Sequence, residues 1–400
     1  MEINWKRNLL ISWIGCFFTG ASFSLVMPFI PLYIEELGAP ASQVPLLSGL
    51  AISITALAAA IVAPIWGNLA DRKGRHLMMI RAAAGMTVTM GALAFVPNVY
   101  WLLVMRFFTG VLSGYIPNAT ALIAYQAPRE KSGWAIGTLA TGAIAGNLIG
   151  PLMGGILAEL LGMKNVFIIT GMILFITLLL TIFLVKETFE PVEKKNLMST
   201  KEILGQSTRR SVLFGLFFTS LILQLGMTSI SPILTLYIRE LSTDTGSVLF
   251  LSGLIVSVAG VSAVISSPYL GRLGDRNGNQ KIVLLSIGFP FCCFIPMGLV
   301  TAPWQLGVLR FLLGFSTGAL MPSVNTLISK ITPPEGVSRI FGYNQMFNNF
   351  GQVLGPLVGS AVAQAYSYSA VFFVTAGFVL LNILLSLFNF RHDLKHQDIR

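Results

Sequence analysis

The chain is 400 residues long, 54% hydrophobic and only 10% charged, with a formal net charge of +10. A soluble domain carries about 25% charged residues, so these figures exclude an ordinary soluble fold and imply a membrane protein. The basic balance does not imply a nucleic-acid partner, because the charge is placed by position: of the 26 Lys and Arg, all but Arg106, Lys164, Arg239 and Arg310 fall at the two termini or in alternate loops.

A helix crosses the roughly 30 Å hydrocarbon layer with about 20 apolar residues. Twelve such blocks follow one another, at 9–33, 45–66, 78–96, 99–121, 133–159, 164–185, 211–237, 248–270, 281–301, 304–328, 339–364 and 369–390. The first is too long for the apolar core of a signal peptide, about 7–15 residues, and reads as a retained helix. The placement of Lys and Arg predicts that both termini and the loop after the second block are cytoplasmic. Cys16, Cys292 and Cys293 lie inside blocks, so the sequence offers no disulfide framework and no metal-ligand spacing.

The blocks form two copies of one plan. Pro28, Tyr33 and Glu36 recur as Pro232, Tyr237 and Glu240, Pro64 as Pro268, Asp71 as Asp275, Arg106 as Arg310, and Gly110 and Gly114 as Gly314 and Gly318, all at an offset of 204. After the fourth block the offset becomes 205, pairing Gly137 with Gly342, Gly146 with Gly351 and Gly150-Pro151 with Gly355-Pro356. Six blocks separate the copies, so both enter the membrane from the same side, as in transporters whose two bundles rock about a central site. The expected organisation is all-α: a six-helix bundle at 1–186, a charged cytoplasmic linker at 187–210 and a second six-helix bundle at 211–400.

Between the second and third blocks lies Gly67 to Arg75, G-N-L-A-D-R-K-G-R, echoed at Gly271 to Gly278, G-R-L-G-D-R-N-G. A tight turn favours Gly67 and Gly74, where positive φ costs little. Asp71 is placed to accept N–H groups at a helix start, and the basic residues to meet helix-end carbonyls or lipid phosphates.

This loop resembles the signature loop of the major facilitator superfamily. Leu102 to Gly110, L-L-V-M-R-F-F-T-G, resembles its helix 4 motif with a membrane-embedded arginine. Gly142 to Gly155, G-A-I-A-G-N-L-I-G-P-L-M-G-G, resembles the helix 5 motif of drug antiporters, with Gly146, Gly150, Pro151, Gly154 and Gly155 in register. Pro28-Phe29-Ile30-Pro31 is similar to the close of helix 1 in twelve-helix drug:proton antiporters. The resemblance spans the chain and is strongest to the multidrug and fluoroquinolone efflux pumps of Gram-positive bacteria.

The resemblance implies a secondary active exporter of amphipathic drugs, working by proton antiport and alternating access as a monomer in the cell membrane, and contributing to antibiotic resistance. Two alternatives stay open: a facilitator for one metabolite, or a lipid translocase. No Walker loop is present, and no cofactor, metal or catalytic residue is expected. For gating the resemblance points to Gly67, Asp71, Arg72, Gly74 and Arg75, with Asp275 and Arg276 in the second copy.

For coupling, Arg106 and Arg310 are the deep charges, and an arginine at the bilayer centre costs about 2.5–3.5 kcal/mol on insertion scales, so each needs a cavity or a partner. No acid lies mid-block, which leaves Glu35, Glu36 and Glu159 near the ends as proton carriers besides Asp71. Such a cavity favours zwitterionic, neutral or weakly anionic substrates over dications. Cavity candidates are Phe23, Met27, Tyr115, Asn118, Gln224, Asn325, Asn344, Phe347 and Asn348; amides inside a membrane need partners, either neighbouring helices or ligand.

Overall fold

The computed structural model describes residues 4–188, 210–242, 248–277, 279–332 and 337–396; for side chains the description leaves out 129, 210–211, 268, 270–283, 317–319, 321–322, 329–330, 337–339 and 389–396. Every described regular element is helical.

Helix α1 (Trp5–Val26) opens on Asn4, whose side chain accepts from the Arg7 N–H at 3.1 Å. Proline then reshapes the pass. Pro28 has no N–H to contribute, and the chain tightens into a 3-10 turn at Met27–Phe29 before α2 (Ile30–Glu36) continues with Pro31 in its first turn.

Helix α3 (Val44–Lys73) stops at Gly74, whose φ of +95° suits a residue without a Cβ, and α4 (Arg75–Ala92) begins directly after it. The fourth pass is divided into α5 (Val99–Leu112) and α6 (Tyr115–Gln126). Helices α7 (Ser132–Leu161) and α8 (Met163–Leu184) follow.

In the second copy α9 (Arg210–Ser229) and α10 (Leu234–Leu241) repeat the bent first pass, with Pro232 between them. Helices α11 (Val248–Asn277), α12 (Asn279–Met297), α13 (Pro303–Ile331), α14 (Val337–Ala365) and α15 (Tyr368–His396) complete the chain. Among the described residues nine helical stretches are long and apolar enough to cross a membrane; the expected blocks at 281–301, 304–328 and 339–364 coincide with α12, α13 and α14.

The chain divides into two compact units, Met1–Lys194 with Asp244–Ser257, and Lys195–Thr243 with Val258–Arg400. In the first unit α1 packs along α7 and α4 along α8; in the second α9 packs along α14, and α12 along α13 and α15.

The duplication read from sequence is reproduced as contacts. The Tyr33 hydroxyl donates to the Leu93 carbonyl at 2.7 Å, and the Tyr237 hydroxyl donates to the Met297 carbonyl at 3.0 Å. Tyr33 leans on Phe167 with ring centroids 4.8 Å apart, and Tyr237 on Phe372 at 5.2 Å. Ser24 donates to the Gly146 carbonyl and Thr228 to the Gly351 carbonyl, both at 3.3 Å.

Three expectations are corrected. Gly67 is no turn residue: it lies inside α3, and its φ is not among the positive ones, which among the described residues are those of Gly38, Gly74, Gly114 and Gly162. The block at 99–121 is not one helix, because Gly114, at φ +115°, interrupts it. Arg81, counted with the basic loop residues, sits inside α4 with its guanidinium against the protein.

Candidate functional site

At the Gly74 turn, Asp71 closes the last turn of α3 and forms an ion pair with Arg75 at the start of α4. The pair is half exposed, and Arg72 beside it is exposed. Asp71 is not the acceptor for the α4 start. That role belongs to Glu187, whose carboxylate accepts the Arg75 N–H at 3.0 Å and the His76 N–H at 2.7 Å. A carboxylate on two first-turn N–H groups meets both the unpaired donors and the positive end of the helix dipole. The His76 Nε2 lies 2.9 Å from the Thr181 carbonyl in α8. Glu187 thus belongs to the hairpin, not to the linker where the sequence reading put it.

A second clasp lies alongside. Asn8 donates to Gln126 at 2.7 Å and to the Lys186 carbonyl at 2.7 Å, and accepts from the Lys186 N–H at 3.2 Å. It joins α1, α6 and the end of α8. The counterpart residues Asp275 and Arg276 lie on α11, but their side chains are outside the described residues, as is most of the expected linker, 189–209.

The deep charge of the first unit is Arg106, 1% exposed on α5. Its Nε donates to the Ala51 carbonyl at 3.3 Å, Nη2 approaches the Met27 sulfur at 3.8 Å, and Nη1 has no partner among the described residues. The Thr55 hydroxyl donates to the Arg106 carbonyl at 2.9 Å and fixes α3 against α5. No described carboxylate comes within ion-pair distance of this guanidinium. Arg310 in the second unit is 7% exposed, and its Nε has no partner among the described residues. Among the expected acids, Glu36 and Glu159 are exposed and Glu35 half-buried, at the ends of α2 and α7.

The helix 5 glycines have a clear packing role. A Cβ on Gly142 would meet the Trp13 carbonyl oxygen at 2.7 Å, on Gly146 the Ala21 nitrogen at 2.7 Å, and on Gly150 the Ala21 carbonyl oxygen at 2.8 Å; Gly154 faces the Leu25 carbonyl. This stripe lets α1 and α7 meet backbone to backbone. Pro151 and Gly155 are buried on the same helix.

The polar cavity candidates divide. Tyr115 is 1% exposed, its hydroxyl 2.9 Å from that of Thr181, and its ring fills the space beside Gly15. Asn118 donates back to the Gly114 carbonyl at 2.7 Å. Phe23, Met27 and Gln224 are half-buried. In the second unit Asn344 donates to Asn325 at 3.2 Å, and the side-chain oxygens of Asn344 and Asn348 are buried with no donor among the described residues. Phe347 stacks on Phe217 with centroids 5.4 Å apart. Asn325 is exposed on α13.

Sequence reasoning missed Glu187, Asn8 and Gln126 because each makes its bonds to chain more than 50 residues away. The repeated, proline-bent twelve-pass plan, its glycine-mediated packing and its buried arginines define a membrane protein of the major facilitator type. The family model described as Major Facilitator Superfamily matches residues 12–305 and 216–398, and the chain belongs to that family.

Over 397 residues it is 57% identical to the "Multi-drug resistance efflux pump PmrA homolog" of Lactococcus lactis subsp. lactis, covering 99% of this chain and 98% of that one. It is 50% identical over 387 residues to "Multidrug resistance protein MdtG" of Citrobacter koseri, covering 96% and 95%. Among solved structures, a bacterial homolog of the human lysosomal transporter Spinster in an inward-facing, unoccupied conformation matches with TM-score 0.79 at 14% identity, covering 99% of both chains. The nucleoside transporter NupG matches with TM-score 0.79 at 16% identity, covering 96% of this chain and 100% of that one. At such identities the structures speak to the fold alone.

Proposed function

We propose that this protein is a secondary active multidrug exporter of the cytoplasmic membrane, driven by proton antiport and working as a monomer with both termini in the cytoplasm. The observation that carries the reading is the 57% identity, along nearly the whole of both chains, to a relative named as a multidrug efflux pump. The composition, the family's transport fold and the lack of a Walker loop in the sequence support a transporter over an enzyme or an ATP-driven pump.

Asp71, Arg75 and Glu187 form the cytoplasmic gate latch in this reading, with Asp275 and Arg276 as its weaker echo. Arg106 and Arg310 set a positive interior potential, and protons enter through Asp71, Glu35, Glu36 or Glu159. The amides Asn325, Asn344 and Asn348 with Phe347 contribute polar and aromatic surface to the substrate path. A proton moving through 100 mV supplies about 2.3 kcal/mol, enough to sustain a useful drug gradient.

The test is norfloxacin accumulation in cells with and without the protein, each with and without a protonophore. The expected result is lower accumulation with the protein, abolished by the protonophore. Equal accumulation in all four conditions would overturn the reading, and export that survives the protonophore would overturn proton coupling.

A further inference from the structure

The fourth pass is broken at Ser113-Gly114, whereas its twin α13 runs from Pro303 to Ile331 without interruption. Glycine alone does not explain this, since Gly114 has its counterpart in Gly318. The two copies differ in length there: Gly114-Tyr115-Ile116-Pro117 corresponds to Gly318-Ala319-Leu320-Met321-Pro322, so the shift from offset 204 to 205, which the glycine pairs of the fifth block place after the fourth, falls inside the fourth pass itself. Removing one residue from a helix turns everything after it by about 100°. A break absorbs that rotation.

The break exposes backbone carbonyls that a membrane interior does not solvate. In a continuous helix the Ser113 carbonyl would accept from residue 117, but that residue is proline and has no N–H. Arg81 of α4 supplies the donor, with Nη2 2.9 Å from the Ser113 oxygen. The Val111 carbonyl receives the Trp66 indole N–H of α3 at 2.7 Å. The two donors are themselves joined, the Arg81 guanidinium carbon standing 3.9 Å over the Trp66 ring. In the uninterrupted copy the corresponding residues are Leu270 and Leu285, which have no side-chain donor. Arg81 Nε and Nη1 are buried and have no partner among the described residues, so the guanidinium keeps donors to spare.

We propose that Ser113-Gly114 is a hinge used in the transport cycle, and that Arg81 and Trp66 are its positioning residues, keeping its carbonyls capped while α6 with Asn118 moves against α5 with Arg106. The proposal rests on the export reading for its rate measurement, and a second measurement does not depend on it.

The variants are Arg81→Leu, Trp66→Leu and both together, which copy the leucines of the second repeat, with Arg81→Lys and Trp66→Phe as milder changes should the double variant fail to fold. In full-length protein in nanodiscs, norfloxacin export per folded molecule is measured together with the spin-label distance between positions 104 and 125, which are exposed on α5 and α6. A continuous helix would set that distance at about 32 Å.

Expected are a fall in maximal export rate of about tenfold or more with apparent KM within about twofold, and a distance distribution displaced from wild type, toward the continuous-helix value in the double variant. Arg81→Lys, which retains a donor, restores part of both. A wild-type rate in the double variant, or a lost rate with an unchanged distance distribution, overturns the proposal. Absence of export by the wild type would instead count against the export reading, and the distances would still decide whether the pair sets the break.

Discussion

Replacing Gly146 by alanine tests the α1–α7 contact most directly. The added Cβ would stand 2.7 Å from the Ala21 nitrogen and closer still to the Phe17 carbonyl oxygen, where ordinary contact begins at 3.4 Å. Accommodation therefore requires the two helices to part by 0.7 Å or more, the difference of those distances. Backbone atoms cannot rotate away, and the stripe runs on through Gly142, Gly150 and Gly154. Overpacking of this kind costs about 1–3 kcal/mol.

Alanine is also a better helix former than glycine by about 1 kcal/mol, so the control must share that gain. Gly137 lies on the same helix with no described residue within 4 Å of its would-be Cβ. The difference between Gly146→Ala and Gly137→Ala is then the clash alone, about 1–3 kcal/mol. The same comparison exists in the second unit, where a Cβ on Gly351 would meet the Leu225 nitrogen at 3.0 Å and one on Gly342 would meet nothing within 4 Å among the described residues. Thermal denaturation of the purified protein in detergent, read by loss of the monodisperse chromatographic peak, should place the Gly146 and Gly351 variants below wild type. The Gly137 and Gly342 variants should sit at or above it. Equal midpoints within each pair would refute the packing argument.

Glu187→Ala should cost about 0.5–2 kcal/mol through the lost helix cap, lowering the denaturation midpoint, whereas Glu187→Gln, which keeps an acceptor oxygen, should fall between it and wild type. Asp71→Asn should leave the midpoint nearly unchanged, because an exposed ion pair contributes about 1 kcal/mol or less, yet reduce norfloxacin export more than Asp275→Asn does; equal losses would refute that asymmetry. Since Arg106 has no described carboxylate within ion-pair distance and Arg310 is buried with no partner for its Nε among the described residues, dicationic dyes should be exported poorly beside zwitterionic drugs. A strong preference for dications in a competition assay would contradict the inferred cavity potential.

The passes were legible in the sequence because hydrophobic length and proline position are local properties. Pro28 and Pro31 bend the first pass where the chain order says they must, and the glycine stripe on α7 is visible as a spacing of four. What stayed hidden depends on distant partners. Gly67 looks like a turn glycine, but α3 carries on through it as far as Gly74. Glu187 follows the last apolar residues of the first copy and counts as linker until the start of α4 is brought to it. Arg81 has the composition of a loop residue, and only the Ser113 carbonyl and the Trp66 ring give it a place inside the helix. Tyr115 and Asn118 look alike as polar residues in a pass, yet one is tied to Thr181 and the other to its own helix.

The position of Glu187 also fixes where this chain could be divided for expression as two polypeptides. A first fragment ending at Lys186 would keep every apolar segment of its copy but leave the Arg75 and His76 N–H groups without their acceptor. One residue more restores it. A cut after Glu187 therefore keeps the cap on α4, which a cut chosen from hydropathy alone would remove.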